Sequence, residues 1–199
     1  MENRNKTAYV TLETQSGYEL LSLETELMRN RNVFLIGEVN DETCDQLIKQ
    51  FMCLDLESRA PIRFFINSPG GEVTSGLALY DVISMLNSPV DTICTGTAAS
   101  MGSILFLAGR ERYMLPHTRL MIHDPSYGSG NIGGMKPFEL QQQVDKLKET
   151  GDILADIIAD KTGKTVKEIK KITQHDTYYN AQEAIKFGLA TKIMTRDDF

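Results

Sequence analysis

A serine set among small residues, in the run Gly96-Thr97-Ala98-Ala99-Ser100-Met101-Gly102, stands at the end of an apolar stretch and points to nucleophilic chemistry more directly than any other segment, although taken alone it fits a serine cap better. Val90-Asp91-Thr92-Ile93-Cys94 before it reads as a short buried strand, and Ile104-Leu105-Phe106-Leu107-Ala108 after it as an apolar helix. Ser100 would then open that helix. There the Met101 amide is one of the first-turn donors without an intrahelical acceptor, and the helix end favours a developing oxyanion. The same placement suits a plain serine N-cap. A nucleophilic serine needs a base. Of three histidines, His123 alone ends an apolar strand, Leu120-Met121-Ile122, where a side chain emerges beside a neighbouring strand-helix turn. The alternative is a histidine satisfied in the core or by solvent. His117 reads as a loop residue. For an acid to hold the imidazole, Asp176 begins a short extended segment, Asp124 follows His123 directly and would point away, and Asp81 reads as an exposed helix charge.

A second signal is Asn67-Ser68-Pro69-Gly70-Gly71, between a strand at Ile62-Arg63-Phe64-Phe65-Ile66 and a helix over 74–86. Glycines there let backbone amides turn toward a bound group, enough to complete an oxyanion hole, or simply make a tight turn. A phosphate cradle is disfavoured: there is no Gly-x-Gly-x-x-Gly, no Gly-Lys-Ser/Thr and no lysine near the loop. The run Gly128-Ser129-Gly130-Asn131-Ile132-Gly133-Gly134 reads as a flexible loop, with a side-chain-poor edge strand for an extended peptide as the alternative.

The elements that must position these residues alternate along the chain. After an extended stretch over 9–12, Leu20, Leu21, Leu23, Leu27 and Met28 predict a short amphipathic helix, followed by the strand Val33-Phe34-Leu35-Ile36-Gly37. Asp41 is expected to cap a helix carrying Leu47, Ile48, Phe51, Met52 and Leu54. The strand around Ile93, the Ser100 helix and short strands near Tyr113 and at 120–122 continue the sheet, an α/β architecture with helices covering its faces. Leu140, Val144, Leu147, Leu154 and Ile158 recur at helical spacing on one long helix that has room to project. Helices over 166–172 and 181–187, an extended piece at 177–179 and a strand over 190–194 complete the chain.

The chain has 199 residues, which suits one α/β domain spanning 1–199 and is short for two. Its polar N-terminus leads into no apolar signal segment, and no apolar run approaches the roughly 20 residues that span a bilayer, so a soluble cytoplasmic protein without membrane contact is expected. Cys44, Cys53 and Cys94 lack the close spacing of a zinc site, and reduced, mostly buried thiols are expected with no metal. A net charge of −6 and the lack of a basic tract argue against nucleic acid as a partner.

Taken together, Ile66-Asn67-Ser68-Pro69-Gly70-Gly71, Thr97-Ala98-Ala99-Ser100-Met101-Gly102, Met121-Ile122-His123-Asp124-Pro125 and the segment from Asp176 through Ala184 resemble the proteolytic subunit of the Clp protease, the ClpP family, over about 33–194. The resemblance implies a crotonase-like fold. In it a head of strand-strand-helix turns carries a projecting strand-helix handle, here 127–161, after an N-terminal extended segment over 1–17. It implies a serine endopeptidase with Ser100 as nucleophile, His123 as base, Asp176 as orienting acid and the Gly71 and Met101 amides as oxyanion hole. Val73 and Pro125 would flank the pocket for the residue before the cut bond, and Gly128 to Gly134 would hold extended substrate. It further implies heptameric rings, stacked in pairs through their handles, in some cases with a second ClpP paralogue. Such rings degrade polypeptides fed by an ATP-driven unfoldase of the AAA+ class such as ClpX, ClpA or ClpC, with no cofactor in this chain. The pattern departs from the family at Gln174-His175, where an acidic residue and an arginine commonly link the rings, and at 18–28, which lacks the usual tyrosines of the unfoldase groove. A weakly active or structural subunit of a mixed ring is the first rival reading. A coenzyme A-dependent hydratase or isomerase of the crotonase superfamily is the second, and it lacks this serine-histidine-aspartate set.

Overall fold

The structure, a computed structural model, describes residues 8–15, 17–126, 134 and 136–198. It opens with a hairpin of β1 (Tyr9–Thr14) and β2 (Gly17–Ser22), which leads into a short helix, α1 (Leu23–Arg29). The leucine periodicity therefore started the helix too early. Leu20 and Leu21 sit in β2 opposite Thr11 and Val10, and the Ser22 hydroxyl accepts from the Thr25 amide, which fixes the helix start at Leu23.

Strand and helix then alternate: β3 (Asn32–Val39), α2 (Asp41–Glu57), β4 (Ile62–Gly71), α3 (Val73–Met85), β5 (Val90–Ala99) and α4 (Met101–Leu107). Two short strands follow, β6 (Arg112–Met114) and β7 (Arg119–Ile122), then the long helix α5 (Pro137–Thr162) and α6 (Val166–Thr173). β8 (Thr177–Asn180), α7 (Ala181–Phe187) and β9 (Lys192–Ile193) end the order. The glycine-rich run before α5 lies, except for Gly134, outside the described residues.

Parallel pairing runs β3-β4-β5, and at β5 the sheet forks. Its first half pairs with β6, Thr92 to Cys94 opposite Arg112 to Met114, and its last residues pair with β7, Ala99 opposite Met121. β6 continues to β9, whereas β7 takes β8 as an antiparallel neighbour. β4 is apolar and buried on both faces over Phe64, Phe65 and Ile66, as a central parallel strand must be. On one face α2 presents Cys44, Leu47, Phe51 and Leu54 at helical spacing, and Phe51 meets Phe64 edge-to-face at 5.1 Å. α4 is wholly buried, with Ser103 as its one polar side chain, and packs into the core behind Ser100.

The N-cap of α2 is Asn40, in reciprocal bonds with Thr43. Asp41, expected to cap, is the first helical residue, and its carboxylate accepts from the Ser75 hydroxyl. α5 has two different halves. Leu154 and Ile158 are buried against the core, while Val144 is 44% and Phe138 72% exposed, so the apolar stripe continues past the point where neighbours cover it. Cys44 and Cys94 are buried free thiols and Cys53 is exposed; burial pushes the Cys94 thiol up to about 11. Among the described residues no helix is long and apolar enough to cross a membrane.

Candidate active site

Three strand ends meet at one point. Ser100 follows the last residue of β5, His123 follows the last residue of β7, and Asp176 precedes the first residue of β8. The Ser100 amide donates to the Met121 carbonyl at 2.9 Å, which extends the β5–β7 pairing to the serine itself. In the antiparallel β7–β8 ladder Ile122 faces Thr177, so the next step outward puts His123 opposite Asp176. The resulting chain of bonds is short: Ser100 Oγ to His123 Nε2 is 2.8 Å, and His123 Nδ1 to Asp176 Oδ1 is 2.9 Å. A carboxylate only accepts, so Nδ1 carries the proton and Nε2 is left to accept from the serine hydroxyl. That is the arrangement in which an imidazole can take a proton from an alcohol.

Ser100 occupies the N-cap position of α4 but its side chain caps nothing. Its backbone has φ 53° and ψ −124°, one of two non-glycine residues with positive φ among those described. Serine pays a conformational cost there, and the cost lifts Oγ away from the helix toward His123. Two features of β4 hold the turn. Gly70, at φ +97°, packs so closely that a Cβ on it would lie 2.7 Å from Ser100 Cβ and 2.9 Å from the Met101 amide nitrogen. Gly71 approaches Val39 of β3 so tightly that a Cβ would meet its carbonyl oxygen at 2.1 Å. The segment Asn67 to Gly71, read from sequence as a turn after a strand, is therefore the end of β4 itself.

The pairing of β4 with β5 shifts between Ile66 and Ser68, where β5 has two extra residues. Asn67 fills the gap: its Oδ1 accepts from the Thr97 amide at 3.0 Å. Such a bulge re-aims the strand that carries it, here in the last turn before the serine.

Ser100 and His123 open into a cleft of about 690 Å³, walled by Gly71, Glu72 and Val73 on one side and by Lys146, Leu147 and Thr150 of α5 on the other. Below it is a pit of about 20 Å³ lined by Met101, Ile104, Ile122, Leu154 and Ile158. Val73 and Pro125, singled out from the sequence, border both spaces. Met101 heads α4 immediately after Ser100, and its amide has no intrahelical acceptor.

Of the other candidates, His117 lies exposed in the turn between β6 and β7, and Asp81 is an exposed position of α3. Asp124 is tied elsewhere, as its amide donates to the Thr173 carbonyl at 2.7 Å and its carboxylate accepts from the Thr173 hydroxyl. Gln174 and His175 are exposed in the short turn from α6 to β8. Sequence reasoning missed the wall formed by Glu72, Lys146 and Thr150. Leu147 and Thr150 share a helix face, but nothing in the sequence says which face of α5 turns toward Ser100. Among the described residues no three histidine, cysteine, aspartate or glutamate side chains gather as a metal set.

A protein-family model, Clp protease, matches residues 15–197. That match covers nearly the whole chain, and the mixed α/β architecture with its mostly parallel sheet agrees with it; the chain belongs to the Clp protease family.

Proposed function

We propose that this chain is a serine endopeptidase subunit in which Ser100 attacks a peptide carbonyl, His123 takes its proton, and Asp176 holds the imidazole tautomer. The observation that carries this is the bonded series from Ser100 Oγ through both ring nitrogens of His123 to Asp176, made by a serine whose backbone strain serves no cap. In the first half-reaction the Oγ–C bond forms, the proton on Nε2 passes to the departing amine, and an acyl-enzyme remains. Water then repeats the sequence, with His123 again as base, and releases the acid. The amides of Gly71 and Met101 are the donors proposed for the tetrahedral oxyanion, because Gly71 lines the cleft beside Ser100 and Met101 follows Ser100 at the head of α4. Val73 and Pro125 border both the cleft and the small apolar pit beneath it, and that rim supports an apolar residue on the acyl side of the cut bond.

Membership of the Clp protease family makes the chain a peptidase and points to an oligomeric assembly. The exposed apolar stripe of α5, including Phe138 and Val144, supports that helix as a handle between subunits. Seven-membered rings, paired through these handles and fed by an ATP-driven unfoldase, are the assembly we propose, with ATP consumed by the partner.

The test is Ser100→Ala. It should fold and assemble as the parent does, lose peptidase activity by about 10⁴-fold or more, and lose labelling by a fluorophosphonate. Cleavage at the parental rate would refute the assignment of the nucleophile.

A further inference from the structure

The cleft above Ser100 carries two charged side chains besides the reacting groups, one on each wall: Glu72 at the start of α3 and Lys146 on α5. They are not equivalent. The Glu72 carboxylate lies 3.0 Å from the Ser75 hydroxyl, whose single proton it shares with Asp41. Two nearby lysines have carboxylate partners, Lys148 with Asp145 at 3.9 Å and Lys170 with Asp152 at 2.6 Å, whereas Lys161, Lys167 and Lys171 have none among the described residues, so what sets Lys146 apart is its place on the cleft wall. The Lys146 ammonium has no ion-pair partner among the described residues, although it lines the same cleft as the serine and histidine. The pit below offers only apolar side chains, apart from Ser100, Ser103 and His123, so a substrate charge finds no counterpart there. At the α5 wall it does.

Resting on the peptidase reading above, we propose that Lys146 is a specificity-determining residue, selecting peptides with an acidic side chain beside the residue seated at Val73 and Pro125. The attraction is between an exposed ammonium and a carboxylate in a partly enclosed cleft, so it is modest and screened by salt. It acts equally on bound substrate and transition state, and therefore belongs in KM rather than kcat. Glu72 on the far wall sharpens the choice by repelling an acid directed toward α3.

The experiment uses the assembled protein and fluorogenic peptides with one leucine at the cleaved position and Glu or Lys at each adjoining position. Wild type should favour Glu over Lys by about threefold to tenfold in kcat/KM at low ionic strength, mainly through KM. The preference should shrink in about 0.5 M salt. Lys146→Met should flatten it and Lys146→Glu should invert it, while the rate of fluorophosphonate labelling stays parental and shows that the site is intact. A Glu-to-Lys ratio that is the same in wild type and Lys146→Glu overturns the proposal, as does a wild type with no preference. If instead no peptide is cut and Ser100 is not labelled, the peptidase reading itself fails and this inference falls with it.

Discussion

Replacing Gly70 by alanine should damage both stability and the site, and the two effects are separable. The added Cβ would lie 2.6 Å from the Ala99 carbonyl oxygen, 2.7 Å from Ser100 Cβ and 2.9 Å from the Met101 nitrogen. Two of these are backbone atoms and the third is the first side-chain atom of Ser100, so none can swing aside as a long side chain would. Alanine at φ +97° costs about 1–2 kcal/mol before any contact is counted. Overpacking adds about 1–3 kcal/mol, for a total of about 2–5 kcal/mol. In a chain of 199 residues that lowers Tm by about 4–20 °C. Relief of the clash must displace Ser100 or the Met101 amide, and a shift of about 1 Å at reacting atoms costs on the order of 10²-fold in rate. Thermal unfolding and peptide hydrolysis would be compared with Gly163→Ala, where φ is +70° but nothing lies within 4 Å of the new Cβ. That variant should lose only the conformational share, about 1 kcal/mol, and keep the parental kcat. If Gly70→Ala is no less stable than Gly163→Ala and its kcat is within about twofold of the parent, the packing argument for how β4 holds the serine turn is wrong.

The His123–Asp176 pair sits between two brackets, the Ile122–Thr177 ladder pair and the Asp124–Thr173 bonds, so Asp124→Ala should lower kcat by about tenfold at a stability cost of about 1 kcal/mol. Asp124→Asn, which keeps an oxygen for the Thr173 hydroxyl, should restore most of the rate; equal rates for parent and alanine variant would remove the second bracket from the account. Asp55 is held well below the usual carboxylate range by the Asn87 side chain, with the Ser88 amide adding a bond at 2.7 Å. A lowered folded-state value stabilises above the unfolded value of about 4 and is lost as pH falls further, so Asp55→Asn should be less stable at pH 7 and converge with the parent in acid. Urea midpoints across pH 7 to 2 test this, and a constant gap over that window would contradict it.

The residues of the candidate site that the structure brings together carried local signals in the sequence, and the parts that geometry alone creates did not. Small residues around Ser100 and an apolar run ending at His123 are local signals, and Asp176 beside a short extended piece is a third. The end of β4 escaped because Ser68, Pro69, Gly70 and Gly71 all disfavour strands. They form one because β3 and β5 already lie on either side, and Pro69 falls where neither ladder pairs a residue, so its missing N–H leaves no gap. The N-terminal hairpin escaped for the opposite reason: leucines that fit a helical period were claimed by antiparallel pairing with 9–14.

What no local pattern can encode is the fork in the sheet, and the fork is what makes the site. β5 leaves β6 after Cys94 and gains β7 at Thr97, and the two-residue slip relative to β4 falls between those points, bridged by Asn67. An unbroken ladder would have kept β5 in register with β4 and left Ser100 as one more residue of a buried strand. Because the strand is redirected there, its end rests on Gly70 on one side and on the Met121 carbonyl on the other. Antiparallel β8 lies on the open side of β7, and its register carries a carboxylate from 53 positions downstream to the histidine. The serine, the imidazole and the acid are thus aligned by three pairings of backbone before any side chain is placed, which is why the bonds among them can be short without a tight pocket around them.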